Sequence, residues 1–192
     1  MPIDLPPACA WRHDGSGRSG FEVCYPRLGD GVVLQGQTNA VEDGDAWVVR
    51  YAIVVDRSWS TTSAVVHRAS ASADSTADLV RDRSGRWSVD GRERPDLDGC
   101  VDLDLESSAC TNTLPVHRLR LAVGQSADAP AAFVRADDLR VERLDQQYER
   151  LEDDGPQRRY AYRAPAFDVE TVLVYDAFDL VVDYPGIADR AL

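Results

Sequence analysis

Apolar side chains occupy every second position from Trp47 to Val55, through Val49, Tyr51 and Ile53. That period of two sets one face of a strand against a core. Phe21 to Tyr25 and Val32 to Gln37 read as shorter strands around the Gly29-Asp30-Gly31 turn, and Trp59 to His67 as the partner of the long one. Leu79 to Val89 predicts a hairpin turning at Asp82-Arg83-Ser84-Gly85, and Asp90 to Asp98 a polar loop. Arg143 to Glu152 carries helical spacing at Leu144, Gln147, Tyr148 and Leu151 and is ambiguous on pattern alone. Asp153-Asp154-Gly155-Pro156 is a turn, Phe167 to Tyr175 alternates as a strand, and Asp183-Tyr184-Pro185-Gly186 closes the chain's last turn. Turn signals about every ten residues predict an antiparallel sandwich, roll or barrel.

The stretch from Gly99 to Leu121 carries the densest pattern. Val101, Leu103 and Leu105 alternate with Asp102, Asp104 and Glu106, which predicts a strand with one dry and one wet face. Leu114 and Val116 then lie on even positions, whereas Leu119, Leu121 and Val123 lie on odd ones. A one-residue slip reverses a strand's faces, so a second, kinked strand is expected, bent near His117 and Arg118 beside Pro115. The first twenty residues, rich in proline and then in glycine and serine, are expected to form a loosely held arm. Gly15 to Gly20 spells GxGxxG, but it follows no predicted strand and opens no helix, so it reads as a flexible loop, not a nucleotide site.

Gly99-Cys100-x-Asp102-x-Asp104-Leu105, Thr111-Asn112-Thr113-Leu114-Pro115 and Arg118-Leu119 together resemble the signature of the putative glycolipid-binding family of bacterial and archaeal proteins. Tyr51-x-Ile53, Asp56-x-x-Trp59-x-Thr61, Asp82-x-x-Gly85-x-Trp87, Asp90-Gly91, Gln147-Tyr148, Tyr160-x-Tyr162, Leu173-x-x-Asp176 and Tyr184-Pro185-Gly186 extend the likeness over roughly residues 10 to 190. Ser108-Ala109-Cys110 stands where the family usually has Thr-Pro-aromatic, a departure that leaves that aromatic residue's role unfilled. The resemblance implies an all-β, spiderroll-type antiparallel roll or open barrel, and it tilts Gln147-Tyr148 toward an extended strand. It also implies non-catalytic binding of a lipid or glycolipid, with acyl chains in an apolar interior and the headgroup at a polar rim. Two partial self-matches, Phe133 to Val141 over Tyr51 to Trp59 and Leu173 to Asp176 over Leu79 to Asp82, predict one domain of two similar halves, 21–121 and 122–192.

A chain of 192 residues with 44% hydrophobic content can bury one sizeable core. Its net charge of −12, with 21 basic residues and no lysine, disfavours nucleic acid and anionic membrane surfaces as partners. The amino terminus lacks the basic and apolar regions of a secretory signal, and no apolar run reaches the length of a membrane span. A cytoplasmic location follows as the expectation, and the oligomeric state stays open. Cys9, Cys24, Cys100 and Cys110 lack CxxC spacing, and His13, His67 and His117 share no ligand spacing, so neither metal nor cofactor is expected. The cysteines are expected as buried or loop thiols, with a Cys100–Cys110 disulfide as the alternative.

Trp47, Trp59, Trp87, Tyr51, Tyr148, Tyr160, Tyr162 and Phe167 all sit in strand-like segments and can line an apolar cavity. The candidate ligand-binding residues are Tyr51, Trp59, Trp87 and Tyr148 of these, together with Glu22, Asp102, Asn112 and Arg118. Asp102 and Asp104 are otherwise read as solvated carboxylates or partners for Arg118 and Arg120. Glu22, Asn112 and Arg118 are placed at the cavity mouth, where an arginine can fork onto a headgroup. Two other readings stand beside this one. A hydrolase would use Asp102 and Asp104, or a cysteine near His117. A structural protein would simply have a filled core.

Overall fold

The computed structural model describes residues 5–15 and 17–192. The strands are β1 (Cys9–Gly15), β2 (Arg18–Leu28), β3 (Val32–Glu42), β4 (Asp45–Val55), β5 (Thr61–Ser70), β6 (Asp74–Arg81), β7 (Trp87–Val89) and β8 (Arg92–Glu93). β9 (Asp102–Leu105) leads into helix α1 (Thr113–Leu119). The remainder is β10 (Ser126–Asp128), β11 (Ala131–Val134), β12 (Val141–Leu144), β13 (Gln147–Arg150), β14 (Arg158–Ala164), β15 (Val169–Tyr175), β16 (Val181–Tyr184) and β17 (Ala188–Arg190). The fold is all-β, as the alternation predicts, and Gln147-Tyr148 is extended.

Fourteen strands form one open antiparallel sheet in the order β10-β13-β14-β15-β16-β17-β1-β2-β3-β4-β5-β6-β7-β8. A three-stranded sheet, β12-β11-β9, lies inside it, with β9 running parallel to β11. The small sheet divides the interior into two cores. Leu103, Leu105, Ala132 and Val134 pack with the inner faces of β1 to β7, where Trp11, Trp47, Trp59 and Trp87 are buried. Phe133 and Leu144 pack instead with Tyr148, Tyr160, Tyr162, Leu173 and Tyr175 of the second arm. A strand covered on both faces has no wet side. Asp102 and Asp104 are therefore buried, which corrects the expectation of a solvated face.

The second strand expected over 114–121 is α1, a short helix whose first turn carries Pro115. Proline is tolerated there because the first backbone N–H groups of a helix have no partner inside it. Leu114 and Val116 are buried, and Arg120 ends the helix in the left-handed region at φ 48°. The parity change thus marks a helix, not a kink. The loosely held arm is also corrected. Residues 1–4 and Ser16 lie outside the described residues, but β1 is a central strand with Trp11 fully buried and its indole donating to the Val181 carbonyl at 2.8 Å. Gly15 at the end of β1 pairs with Arg18 at the start of β2, so the described residues of the GxGxxG run lie at strand ends and not in a flexible loop.

Three loops share one design. The Oδ1 of Asp56, Asp82 and Asp176 each accepts from the backbone N–H two and four residues on, at 2.8–3.0 Å. The residue three positions on has positive φ in each loop: Gly85 (87°), Asp179 (57°) and Trp59 (66°). A tryptophan in a conformation that favours glycine is strained, so surrounding packing must hold it there.

Candidate functional site

A cavity of about 310 Å³ opens between the small sheet and the second arm of the large one. Its floor is polar and buried, built from Asp104 of β9, Ser108 and Asn112 of the loop before α1, and Tyr162 of β14. Leu105, Phe133 and Leu144 form the wall. Half-buried Val169, Tyr184 and Ile187 and the 37% exposed Phe167 lead outward, and Arg18, Glu42 and Glu106 stand at one rim.

Asp104 Oδ1 accepts from Thr111 Oγ1 at 2.7 Å, and Oδ2 accepts from the Gln146 amide. A carboxylate can accept four hydrogen bonds, so with these and the Leu105 N–H it retains an accepting site. Burial raises the carboxyl above its ordinary range, against the lowering effect of those donors. Burial, and next the nearby Asp104, raises the Tyr162 and Tyr184 phenols, which stay protonated donors at neutral pH. Asn112 Oδ1 accepts from Tyr148 Oη at 2.9 Å, and its carbonyl accepts from Tyr175 Oη at 3.1 Å, which fixes the loop against the second core.

The other side of that loop is held by Glu22. Its Oε1 accepts from Tyr51 Oη at 2.6 Å and from Ser108 Oγ, and its Oε2 accepts from the Ala109 N–H at 2.8 Å. His13 Nε2 lies 3.3 Å from Oε2, and Thr38 Oγ1 donates to the Ser107 carbonyl at 2.6 Å. Gly36 makes this arrangement possible. A Cβ there would stand 2.3 Å from the Tyr51 ring and hydroxyl, so only glycine lets that ring cross its neighbouring strand to reach Glu22.

At the rim, Arg18 forks onto Glu42 at 3.2 and 3.1 Å and donates to the Glu106 carbonyl at 2.6 Å. The Arg135 guanidinium stacks over Phe167 (4.9 Å) and Phe133 (5.4 Å) while pairing with Glu142 and Glu106, which stiffens the aromatic side of the opening.

Of the eight residues that sequence places in a ligand site, Asn112 alone lines this cavity. Glu22, Tyr51 and Tyr148 stand behind it, holding Ser108 or Asn112 or bonded to a residue that does. Asp102 and Arg118 do not line it. They form a two-bond ion pair at 2.9 and 2.6 Å that ties β9 to α1, so Arg118 is not free to meet a headgroup. Burial raises Asp102's carboxyl while Arg118 works to lower it. Trp59 stacks on His117 at 3.7 Å and 9°, and the Trp87 indole donates to the Cys100 carbonyl at 2.9 Å. No tryptophan lines the cavity, and a tryptophan-walled interior is corrected to a packed core. The four cysteines are buried free thiols, as expected, and not the alternative Cys100–Cys110 disulfide; Cys110 neighbours Cys9 and Cys24, which face each other across β1 and β2.

Tyr162 and Phe167, two of the aromatics expected to line a cavity, do line it, whereas Ser108, Tyr184, Phe133 and the Arg18 rim are not signalled by the sequence as parts of one cavity. Asp104, weighed for hydrolysis alone, is its floor. Tyr160-x-Tyr162 and Tyr184-Pro185-Gly186 were visible motifs, but nothing in their spacing says that they face β9.

Among the described residues, no cluster of His, Cys, Asp or Glu is arranged to hold a metal ion, and no helix is long and apolar enough to cross a membrane. A family model described as "Putative glycolipid-binding" matches residues 8–190. The crystal structure of a DUF1089-family protein from Pseudomonas aeruginosa is similar over 92% of this chain and 94% of that one, with 32% identity and a TM-score of 0.76. No curated protein matches the chain. With nearly its whole length matched, the chain belongs to the Putative glycolipid-binding family.

Proposed function

We propose that this chain binds one small amphiphile, a lipid or glycolipid, without transforming it, in the cavity between the small sheet and the second arm. The observation that carries this reading is the cavity's two-sided chemistry. Buried Asp104, Ser108 and Asn112 lie within one space walled by Leu105, Phe133 and Leu144. Buried polar groups that keep accepting sites open are costly unless a partner meets them, and apolar walls favour a partner with an apolar part. Membership of a family named for glycolipid binding supports the same reading.

The hydrolase reading is less well supported by the geometry. Asp102 is engaged twice by Arg118 outside the cavity, so Asp102 and Asp104 do not converge on one cleft. Native mass spectrometry of the full chain, purified gently and exposed to a total lipid extract, tests the proposal. One stoichiometric adduct, released by organic solvent and absent from Val169→Trp, is the expected result. A bare polypeptide mass under all conditions would overturn it.

A further inference from the structure

We propose that the ligand enters headgroup first, and that the group seated on the Asp104–Ser108–Asn112 floor is an uncharged sugar ring, its apolar tail leaving past Phe167 and Ile187. This rests on the cavity being the ligand site and goes further in naming the headgroup's chemistry, direction and depth.

The direction follows from where the polar groups lie. An apolar pocket with a polar rim would hold a tail inside and a head outside, yet here the buried end is polar. Asp104 is 8% exposed, and Ser108 and Asn112 are buried beside it, whereas Phe167 is 37% exposed at the opening. A tail pushed inward would strip water from Asp104 and return nothing, while a hydroxylated ring meets the carboxylate's open accepting site.

Size points the same way. The cavity of about 310 Å³ has room for one sugar ring on its polar floor. A tail then runs toward the mouth, where Phe167, Val169 and Ile187 offer apolar contact.

Charge selects the class of headgroup. A phosphate, sulfate or carboxylate on this floor would face the Asp104 carboxylate, with Glu22 buried behind Ser108 and no arginine at the bottom. Arg18, the basic residue of the lining, is already forked onto Glu42 at the rim. A sugar hydroxyl both donates and accepts, which suits a floor of a carboxylate, a serine hydroxyl, an amide and the Tyr162 phenol, with the Tyr184 phenol just outside it. Tyr162 and Tyr184 also offer ring faces on which the apolar side of a sugar can stack. An ammonium headgroup would satisfy the carboxylate but offer no acceptor to the Tyr184 phenol, which already accepts from Tyr162.

Isothermal titration of the full chain with octyl glucoside, methyl glucoside, octyl phosphate and octyltrimethylammonium tests this. Octyl glucoside should bind, methyl glucoside should compete with it, and octyl phosphate should bind at least tenfold more weakly. Asp104→Asn should weaken both glucosides at least tenfold, and Tyr184→Phe, at a half-buried position that tolerates the change, should weaken both severalfold with an unchanged melting temperature. Equal binding of all three octyl compounds, unaffected by Tyr184→Phe, would overturn the inward headgroup while leaving amphiphile binding intact. Preference for octyl phosphate or octyltrimethylammonium would overturn the uncharged sugar. Failure of all four probes, together with a bare mass after exposure to total lipid, would overturn the binding function itself.

Discussion

Replacing Glu22 by glutamine changes one atom in a carboxylate that accepts three hydrogen bonds inside the core, and its cost can be worked through donor by donor. If the amide NH₂ takes the Oε2 position, it faces the Ala109 N–H that now donates to Oε2 at 2.8 Å, and two donors collide. If it takes the Oε1 position, it faces Tyr51 and Ser108, whose hydroxyls can rotate to accept. The second orientation wins, leaving the Ala109 and His13 contacts in place. The variant then loses the charge assistance of the Tyr51 and Ser108 bonds. Hydrogen bonds to charged groups are worth ~1.5–3 kcal/mol against ~1 kcal/mol for neutral ones, so the loss over two bonds is roughly 1–4 kcal/mol, centred near ~2.5 kcal/mol. In a chain of 192 residues the central value corresponds to a fall of about 5–10 °C in melting temperature. Calorimetry at pH 7 measures it, and a double-mutant cycle with Tyr51→Phe gives an independent check. Tyr51→Phe should cost at least ~0.5 kcal/mol less in the Glu22→Gln background than in the native one. A melting temperature within about 2 °C of the parent, or strict additivity, would refute the reasoning.

Gly36→Ala should destabilise by roughly 1–3 kcal/mol, because its Cβ would displace the Tyr51 ring from 2.3 Å, and most of that loss should vanish in a Tyr51→Ala background; equal costs in both backgrounds would count against it. Trp59→Ala should cost about 3–5 kcal/mol through the lost stack and core packing. Trp59→Gly should be no worse than the alanine variant, since φ is 66°, and chemical denaturation giving glycine the lower midpoint would show that the left-handed backbone is not held by the ring. Burial lowers His117 to about 4 from 6.5, so the unfolded chain binds the extra proton first as pH falls. Its contribution is full above pH 6.5 and is lost toward pH 4, and thermal melts of His117→Gln across that window should fall less steeply than those of the native chain.

The strands and most turns were legible because each hairpin arm buries one face against a core, which writes alternation directly into residues such as Trp47 to Val55. The region around the cavity was not, and for identifiable reasons. Asp102 and Asp104 alternate with leucines as solvated residues do, yet their side of β9 faces a second core. Burial there is set by a layer supplied by β13 to β16, distant in sequence. Helix α1 spans seven residues, too few for a period of 3.6 to separate from a period of two, and Pro115 in its first turn reads equally as a strand break. The alternating carboxylates do suggest partners for Arg118 and Arg120, and Asp102 is that partner of Arg118, but pattern alone cannot choose between this pair and a headgroup contact. Asn112 was placed in the site by motif, whereas Ser108, Tyr162 and Tyr184 needed the sheet order to bring them together.

The bond from Trp11 to Val181 spans 170 residues of sequence, and β1 and β17 zip together beside it. Such long-range pairing slows folding, because loop-closure entropy is lost before the contact repays it. During synthesis β1 can form its hairpin with β2 at once, but its other edge stays open until β17 has emerged. Gly15 at the end of β1 and Tyr184 and Ile187 beside β17 line the cavity on that same seam. The pocket is thus among the last features to exist, so a ligand added during refolding reports the final step of assembly and selectively retains chains that have completed it.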